Sequence, residues 1–333
     1  MMQGRLYRSV VYCCLLVGST LASTAGVAAE SLPSWRDSAS RDTILAFVDA
    51  VSRADSPQFV PPAERIAVFD NDGTLWAEKP VYFQLFFTLD RIRAMADAHP
   101  EWQYEQPYKA AVAGDIAGVA SAGTEGLLAL VQSSHGGLTM EAFETEAGAW
   151  LDAARHPETG RRFIDMVYQP MLELLDFLRA NDFKVYIVSG GGIDFLRLFS
   201  EDVYGVARDR VVGSSVALEY HGGDTSPRIQ RLPKMDFVND KAGKPVGIQR
   251  HIGRRPILAV GNSDGDFQML EWVTAGTGRR LGVLVHHTDD KREWAYDRDS
   301  AVGRLDRGLD EAKSRGWLLV DMKRDWNKVF PAR

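Results

Sequence analysis

The sequence predicts an α/β protein in which a parallel β-sheet is covered by helices and interrupted by an inserted helical lobe. Short apolar strands alternate with amphipathic helices over the C-terminal half of the chain, a pattern typical of parallel sheets with helices on both faces. A long stretch after the first strand has its apolar residues at helical spacing. The strands also end in polar, glycine-rich segments, which is where such sheets bind their ligands.

Length and composition are those of a globular protein. The 333 residues are 45% hydrophobic, which is enough to bury one substantial core and a smaller lobe. The formal net charge is −6, and the sequence contains no run of lysines or arginines. A moderately acidic chain without a basic patch argues against nucleic acid as a partner.

Residues 1–29 are predicted to be a secretory signal peptide. Arg5 and Arg8 precede the apolar run SVVYCCLLVGSTLA, and Val27-Ala28-Ala29 forms a small-residue cleavage site. A membrane anchor is the alternative, but the run is shorter than the roughly 20 residues that a spanning helix needs. We therefore expect a periplasmic or secreted protein that is cleaved near Ala29 and has no stable membrane insertion.

Both cysteines, Cys13 and Cys14, lie within this segment. The mature chain would therefore contain neither a disulfide bond nor a reactive thiol. Cleavage removes two arginines and no acidic residue, so the net charge changes from −6 to −8.

Residues 30–78 are predicted to form a lead-in and the first core strand. Ser31–Ser56 is polar with one weakly amphipathic helix, and Ile66–Phe69 reads as a buried strand. Residues 79–165 are predicted to form a helical cap, because their apolar residues recur at intervals of three and four. These residues are Tyr82, Leu85, Phe86, Leu89, Ile92, Ala96, Phe143, Ala147, Trp150, Leu151 and Ala154.

Residues 166–333 are predicted to form the remainder of the core. A helix follows Pro170, a strand covers 184–188, and a second helix carries Ile193, Leu196, Phe199 and Val203. The later predicted elements are a strand or hairpin at 210–220, a helix near 245–252, strands at 256–260 and 281–287, a last helix and the apolar segment 317–320.

Three predicted strands end in polar groups. The first is followed by Asp70 and Asp72, the second by Ser189 and a run of three glycines, and the third by the segment GNSDGD at 261–266. Lys241 and Lys244 lie between the last two. Because the carboxyl ends of parallel strands meet at one edge of the sheet, we expect these groups to form one anion-binding site.

These segments resemble the haloacid dehalogenase superfamily, and within it phosphatases with a helical C1-type cap, such as phosphoserine phosphatase. The resemblance covers Ile66 to about Phe330. It rests on four motifs in the same order: FDNDGTLW, VYIVSGGG, a lysine ahead of a helix, and VGNSDGDFQML. It implies a Rossmann-like core and hydrolysis of phosphate monoesters. Dehalogenases of this superfamily lack an aspartate at the position of Asp72, so the resemblance favours a phosphatase.

The resemblance also implies roles for single residues. Asp70 would be the nucleophile, and Asp72 the general acid and base. Gly73 would permit a sharp turn, after which backbone amides such as that of Thr74 receive phosphoryl oxygens. Ser189 and the Gly190 backbone would bind the phosphoryl group. Lys244 would spread its charge, with Lys241 as the alternative lysine.

One Mg²⁺ ion per active site is the implied cofactor. Its ligands would be Asp70, Asp72, Asn262 and Asp266, with Asp264 as a further candidate. The family commonly has an aspartate where this chain has Asn262. An amide oxygen is a weaker magnesium ligand than a carboxylate, which leaves the affinity for the metal and its identity open.

Other interpretations of these segments are less specific. The sequence Asn71-Asp72-Gly73 is also typical of a tight hairpin turn. The segment is similar to a calcium-binding loop as well, but Gly73 comes too early for the spacing of that loop. Phe195 stands where a dinucleotide-binding fingerprint needs a glycine. The seven histidines form no zinc pattern and are predicted to be structural, since His286 and His287 point to opposite faces of a strand.

The leaving group would be selected by the cap. Glu78, Lys79, Arg161 and Arg162 are candidates for contacting it, although the arginines also suit a solvated surface. Five aromatic residues could pack as core or enclose a quaternary amine such as choline. They are Trp76, Tyr82, Phe83, Phe86 and Phe87.

The sequence therefore predicts an exported, magnesium-dependent phosphomonoesterase. Its substrate would be a small phosphorylated metabolite, phosphoserine-like or phosphorylcholine-like, and the reaction would pass through an aspartyl phosphate. The alternative is a protein of the same fold that binds a phosphorylated metabolite without turning it over, which Asn262 motivates. The oligomeric state is not predicted.

Overall fold

The structure is a computed structural model that describes residues 32–223 and 226–332. The predicted signal peptide, with Cys13 and Cys14, lies outside the described residues. None of the helices within the described ranges has both the length and the apolar character needed to cross a membrane.

A seven-stranded sheet forms the centre of the described structure, with strand order β4-β3-β2-β1-β5-β6-β7. All neighbouring strands run parallel except β3 and β4, which pair antiparallel. The strands are β1 (Ile66–Phe69), β2 (Lys184–Gly192), β3 (Val211–His221), β4 (Arg228–Phe237), β5 (Leu258–Gly261), β6 (Leu281–His286) and β7 (Leu318–Asp321).

Helices precede, connect and follow these strands. They are α1 (Ala39–Ser52), α2 (Phe83–Met95), α3 (Tyr108–Ala113), α4 (Ile116–Ser121), α5 (Gly123–His135), α6 (Met140–Ala153), α7 (Gln169–Ala180), α8 (Ile193–Leu196), α9 (Ser200–Tyr204), α10 (Gly243–His251), α11 (Phe267–Thr274), α12 (Arg307–Glu311) and α13 (Met322–Asp325).

Strand β1 lies at the middle of the sheet and is buried on both faces. Ala67 and Phe69 belong to the larger apolar cluster on one face, whereas Ile66 and Val68 belong to a second cluster on the other. A strand covered on both faces reads as a continuous apolar run, as IAVF does. The predicted α/β fold with a Rossmann-like, mostly parallel sheet is confirmed.

Helices α2 to α6 lie between β1 and β2, and we call them the insert. They have an apolar cluster of their own that includes Leu89, Ile92, Trp102 and Leu130. The β3–β4 hairpin contacts the insert through two backbone hydrogen bonds, from the Gly137 amide to the Arg231 carbonyl and from the Arg231 amide to the Leu138 carbonyl, each 2.8 Å long. The division of the chain into a cap and a core stays a prediction.

Three elements differ from the sequence-based expectation. Strand β2 continues through the glycine run to Gly192, and the helix expected at 193–203 is two short helices, α8 and α9. Strand β4 was not predicted. It contains Pro233 with charged residues nearby, a composition that is typical of a loop. Proline is nevertheless tolerated in an edge strand such as β4.

Candidate active site

Strands β2, β1 and β5 are neighbours, and they bring their polar ends together. Phe69 pairs with Ile187 on one side and with Val260 on the other. The next residue, Asp70, donates its amide to the Val260 carbonyl at 2.9 Å. Asp70 therefore lies beside the part of β2 that contains Ser189 and beside the segment after β5. This is expected at the edge of a parallel sheet where the carboxyl ends of the strands meet.

Lys244 links two buried carboxylates. Its Nζ lies 2.5 Å from Asp70 Oδ1 and 2.5 Å from Asp266 Oδ1, and its side chain is 3% exposed. Burial opposes the charge of this ammonium group, but the charges of Asp266 and Asp70 and their hydrogen bonds raise the pKa of Lys244. Lys241, the alternative candidate, is exposed and lies in the turn before α10.

Asp70 is a carboxylate in an unfavourable environment. Burial, followed by the negative charge of Asp266, raises its pKa well above its ordinary value, although Lys244 acts in the opposite direction. Asp70, Asp72 and Asp266 together carry up to three negative charges, which Lys244 alone cannot balance. This excess of negative charge favours the binding of a cation.

Asp72 faces the same cavity as Asp70 and is half-buried. Its Oδ1 accepts a 2.9 Å hydrogen bond from the Trp76 indole, which fixes the orientation of the carboxyl group. Burial raises the pKa of Asp72, and the Trp76 hydrogen bond opposes the shift. A raised pKa is the property that a carboxylic acid needs to donate a proton at neutral pH.

The loop after Asp72 is held by hydrogen bonds of its own. Gly73 has φ +71°, a conformation that favours glycine. The Gly73 amide donates to the Trp76 carbonyl at 2.8 Å and the Thr74 amide to the Asn71 carbonyl at 3.1 Å, and phosphoryl binding by this loop stays a prediction. Both amides are used inside a tight turn, so Gly73 and Thr74 shape the loop.

Ser189 is fully buried at the end of β2. Its Oγ accepts the Gly191 amide at 3.0 Å, and its carbonyl accepts the Asn239 amide side chain at 2.9 Å. Gly190 lines the cavity, and its carbonyl accepts the Ser214 hydroxyl at 2.8 Å. These contacts hold this part of the strand. Ser189 is not among the residues that line the cavity, and its binding of a phosphoryl group stays a prediction.

Asn262 contacts a buried glutamate that sequence reasoning assigned only to leaving-group recognition. The Asn262 Nδ2 donates to Glu78 Oε1 at 2.7 Å, and the Tyr296 hydroxyl donates to the same oxygen at 2.7 Å. The Thr74 hydroxyl donates to Asn262 Oδ1 at 3.3 Å. Burial raises the pKa of Glu78 to about 7.

His287 directly follows β6 and supports the loop after Asp72, a role that the sequence did not reveal. Its Nε2 donates to the Gly73 carbonyl at 2.8 Å, and its Nδ1 lies 3.1 Å from Glu293 Oε2. Burial opposes protonation, but the charge and hydrogen bond of Glu293 raise the pKa of His287. From the sequence, we could infer only that the two adjacent histidines point in opposite directions. The contact of His287 with Gly73 was not predictable, because the two residues are 214 positions apart.

The two carboxylates of the GNSDGD segment have different partners. Asp266 accepts the Asn262 and Ser263 amides on Oδ2 at 3.0 and 3.1 Å. Asp264, the further metal-ligand candidate, accepts three backbone amides at the start of α12. They belong to Asp306, Arg307 and Gly308, at 3.2, 3.1 and 2.8 Å. Asp264 therefore anchors the start of α12, and its role as a metal ligand stays a prediction.

The residues predicted to contact the leaving group are mostly turned away from the cavity. Lys79 donates to the Val302 carbonyl at 2.8 Å, Arg161 lies over Phe330, and Arg162 pairs with Asp165. Glu78 does line the cavity.

The aromatic residues pack mostly as core, and the alternative of a cage for a quaternary amine is not formed by them. Of the five aromatic residues, only Tyr82 lines the cavity. The other four pack with further rings in the core, such as Trp76 against Phe199 at 4.7 Å between ring centroids and Phe86 against Phe163 at 5.4 Å.

The donor atoms at the strand ends fit a hard divalent cation. In the ranges 32–223 and 226–332, no three Asp, Glu, His or Cys side chains are placed to hold a metal ion, so a site would combine carboxylates with amide or backbone oxygens. Asp70, Asp72 and Asn262 supply such oxygens, and Lys244 leaves part of the negative charge unbalanced. Oxygen ligands with excess negative charge are those that Mg²⁺ prefers.

Comparisons with solved structures find several chains that are similar to this one. A protein of unknown function from Bordetella pertussis is 14% identical, with 78% of this chain and 99% of that chain covered and a TM-score of 0.49. A functionally unknown protein from Anaerococcus prevotii is 19% identical, with 75% and 86% covered and a TM-score of 0.47.

A phosphoserine phosphohydrolase-like protein from Francisella tularensis is 16% identical, with 75% of this chain and 98% of that chain covered and a TM-score of 0.40. No curated protein matches the sequence.

A family comparison identifies the chain more directly. The model of the haloacid dehalogenase-like hydrolases matches residues 67–271, more than half of the chain. The matched segment begins in β1 and ends in α11, so it includes the ends of β1, β2 and β5. Because the family match and the mostly parallel sheet agree with the four ordered motifs, this chain belongs to the haloacid dehalogenase-like hydrolase family, as the resemblance implied.

Proposed function

We propose that this protein is a magnesium-dependent phosphomonoesterase that acts on a small phosphorylated molecule through an aspartyl phosphate. The observation that carries the proposal is Asp72. It is a carboxyl group with a raised pKa, two residues from Asp70, and it faces the same cavity. A leaving alkoxide needs a proton donor at this point, whereas a leaving halide does not.

In the first half-reaction, an Asp70 carboxylate oxygen attacks phosphorus and the bond from phosphorus to the ester oxygen breaks. The Asp72 carboxyl group gives its proton to that oxygen, which departs as an alcohol. Lys244, held by Asp70 and Asp266, places a positive charge beside the reacting carboxylate. The Ser189 hydroxyl donates to a phosphoryl oxygen.

In the second half-reaction, water hydrolyses the aspartyl phosphate. Asp72 is now ionised and takes a proton from the attacking water, so the oxygen of that water becomes part of inorganic phosphate. Asp70 leaves as a carboxylate, and Asp72 is again protonated for the next turnover. The Trp76 hydrogen bond keeps the Asp72 carboxyl group in one orientation for both proton transfers.

Asp70 and Asn262 would hold the magnesium ion through side-chain oxygens, and Asp72 through its backbone carbonyl, because its carboxyl group carries the transferred proton. Bound there, the cation supplies charge neutralisation for the phosphoryl oxygens and the attacking carboxylate. Asp266 has both oxygens occupied, one by Lys244 and one by backbone amides. We therefore infer that Asp266 orients Lys244 and the Asn262 loop without contacting the metal directly.

The test is phosphate release by the purified mature protein from a panel of monoesters, with Mg²⁺ and with a chelator. The panel includes phosphoserine, phosphorylcholine and an aryl phosphate. We expect release that the chelator abolishes and that falls by at least roughly 10³-fold in Asp70→Asn and Asp72→Asn. A protein that only binds its ligand would show no release in either the native or the variant form.

Export remains a separate part of the proposal. It rests on the sequence of residues 1–29. Mass spectrometry of the protein from its native host would give a mature N-terminus at Glu30 if the predicted cleavage is correct, and an intact N-terminus if it is not.

A further inference from the structure

The catalytic carboxylates open into a large cavity. It has a volume of about 750 Å³ and reaches from Asp70 and Asp72 past the glycine run of β2 to α5 and the β3–β4 hairpin. This is within the range of sites that enclose a drug-sized ligand. Serine or choline esterified to phosphate would fill only the part next to the carboxylates.

The far part of the cavity has apolar walls on two sides. On the insert side, Leu127, Leu128 and Val131 occupy one face of α5. On the hairpin side, Val216 of β3 and Met235 of β4 are cross-strand partners. Two elements that come from distant parts of the chain thus present apolar side chains to the same space.

Several of these side chains do not contribute to the protein's own core. Leu128, Val131 and Met235 are half-buried, and within the described ranges they belong to none of the three apolar clusters. Folding therefore leaves their apolar surface facing the cavity. A contiguous apolar surface of this kind, beside a reactive site, is typical of a ligand-binding wall.

The arginine beside the apolar walls is already paired. Arg231 forms a buried ion pair with Asp194, donates to the His135 carbonyl at 3.1 Å and stacks over Phe143 at 4.0 Å. A buried arginine with these partners has little to offer the carboxylate of a ligand such as phosphoserine. Burial and the charges of Arg231 and Arg91 lower the pKa of the neighbouring His135 to about 3, so His135 is neutral.

We infer that the alcohol of the substrate is bulky and largely apolar, such as an aryl group or a medium-length alkyl chain. The inference rests on the proposed phosphatase function and specifies its substrate class. The phosphoryl group binds at Asp70, and the apolar alcohol extends between α5 and the β3–β4 hairpin. Leu128 and Val131 are specificity-determining residues in this arrangement.

The first experiment measures kcat/KM for a series of n-alkyl phosphates from ethyl to octyl and for naphthyl phosphate, with phosphoserine and phosphorylcholine alongside. Each methylene that enters the apolar part should raise kcat/KM by up to roughly fourfold, since burial of a methylene contributes about 0.8 kcal/mol. Octyl phosphate should therefore exceed ethyl phosphate by at least about 100-fold. A flat series, or a preference for phosphoserine or phosphorylcholine, overturns the inference.

The second experiment replaces apolar residues of α5 that line the cavity. Leu128→Asn and Val131→Thr keep the number and branching of the side-chain heavy atoms and add polarity. Each should lower kcat/KM for octyl phosphate by roughly tenfold and leave the value for ethyl phosphate unchanged. Gln132→Asn, on the same helix but outside the cavity lining, is the matched control. Thermal unfolding of all three variants shows whether they are folded, and equal effects on both substrates contradict the inference.

The two proposals can fail separately. If short esters are hydrolysed but chain length has no effect, the phosphatase function stands and the substrate class is wrong. If no ester is hydrolysed, calorimetric binding of ethyl and octyl phosphate to the native protein still tests the apolar wall. Tighter binding of octyl phosphate that weakens in Leu128→Asn supports the wall, and equal binding of the two esters refutes it.

Discussion

Replacing Lys244 by methionine should destabilise the protein strongly and in a pH-dependent way. Methionine fills most of the space of the lysine side chain but removes the ammonium group between Asp70 and Asp266, each 2.5 Å from it. Loss of one partner from a buried ion pair costs roughly 3–5 kcal/mol, because the other partner is left charged and buried. Two carboxylates lose their counter-charge here, so we expect the upper part of that range at pH 8.

The direction of the pH dependence follows from the pKa values. The pKa of Asp70 is already raised in the folded state, and loss of Lys244 raises it further. A carboxyl group whose pKa is higher in the folded than in the unfolded state binds more protons when folded, so stability falls as the pH rises between the two values. Lys244 itself has a raised pKa, so its contribution is complete below about 10.5 and does not change between pH 5 and 8.

Urea unfolding at pH 5 and pH 8, in the presence of a chelator, measures both effects. Lys244→Met should lose clearly more free energy of unfolding at pH 8 than at pH 5. Lys241→Met is the matched control, because Lys241 is exposed three residues away, and it should change stability by about 0.5 kcal/mol or less. Equal losses for the two lysine variants, or a loss from Lys244→Met that is the same at both pH values, would refute the reasoning.

Three further predictions test the surroundings of the site. Asp264→Ala should lower the free energy of unfolding by about 1–2 kcal/mol, because three amides at the start of α12 lose their acceptor. Its Mg²⁺ affinity by calorimetry should be unchanged, and a weakened affinity would make Asp264 a ligand. The native protein should lose stability as the pH rises from 4.5 to 7, since the pKa of Glu78 is raised to about 7 when folded. Glu78→Gln should reduce that slope in urea unfolding, and an unaltered slope would contradict the shift. Gly73→Ala should cost about 2 kcal/mol or more, because φ is +71° and a Cβ would meet Asn262 and Glu78. Gly148→Ala, on an open helical face, should be neutral or slightly stabilising, and equal thermal shifts for the two glycine variants would disprove the difference.

The sheet and the cluster of groups at its edge could be predicted because both depend on local patterns. The apolar run before Asp70 and the glycines after Ser189 place those residues at strand ends whatever the rest of the chain does. A parallel sheet then brings the strand ends to one edge, and β2, β1 and β5 are indeed neighbours. The order of the strands itself was not readable from the residues, since it depends on how the helices cross the sheet.

The contacts that hold the site residues in place could not be predicted, because they join residues that are far apart in the sequence. His287 lies beside the Gly73 carbonyl only because β6 pairs with β5. Strand β4 was not predicted because Pro233 and nearby charged residues are typical of a loop. It forms because it pairs with β3, a contact that the local sequence does not indicate. The loop amides expected to bind phosphate are also used internally, a choice that local composition does not reveal.

The replacement of the family's usual aspartate by Asn262 is best understood together with Glu78. Asn262 donates its side-chain amide to Glu78 Oε1 at 2.7 Å, in a buried position. A carboxylate at position 262 would place two buried acids against each other and raise the pKa of at least one of them. An amide avoids that repulsion and gives Glu78 a hydrogen-bond donor, while its own oxygen accepts the Thr74 hydroxyl at 3.3 Å and keeps a second lone pair for a metal ion. Asn262, after β5, and Glu78, on the loop after β1, are therefore two parts of one structural feature of this chain. Sequence reasoning treated them separately because 184 residues lie between them.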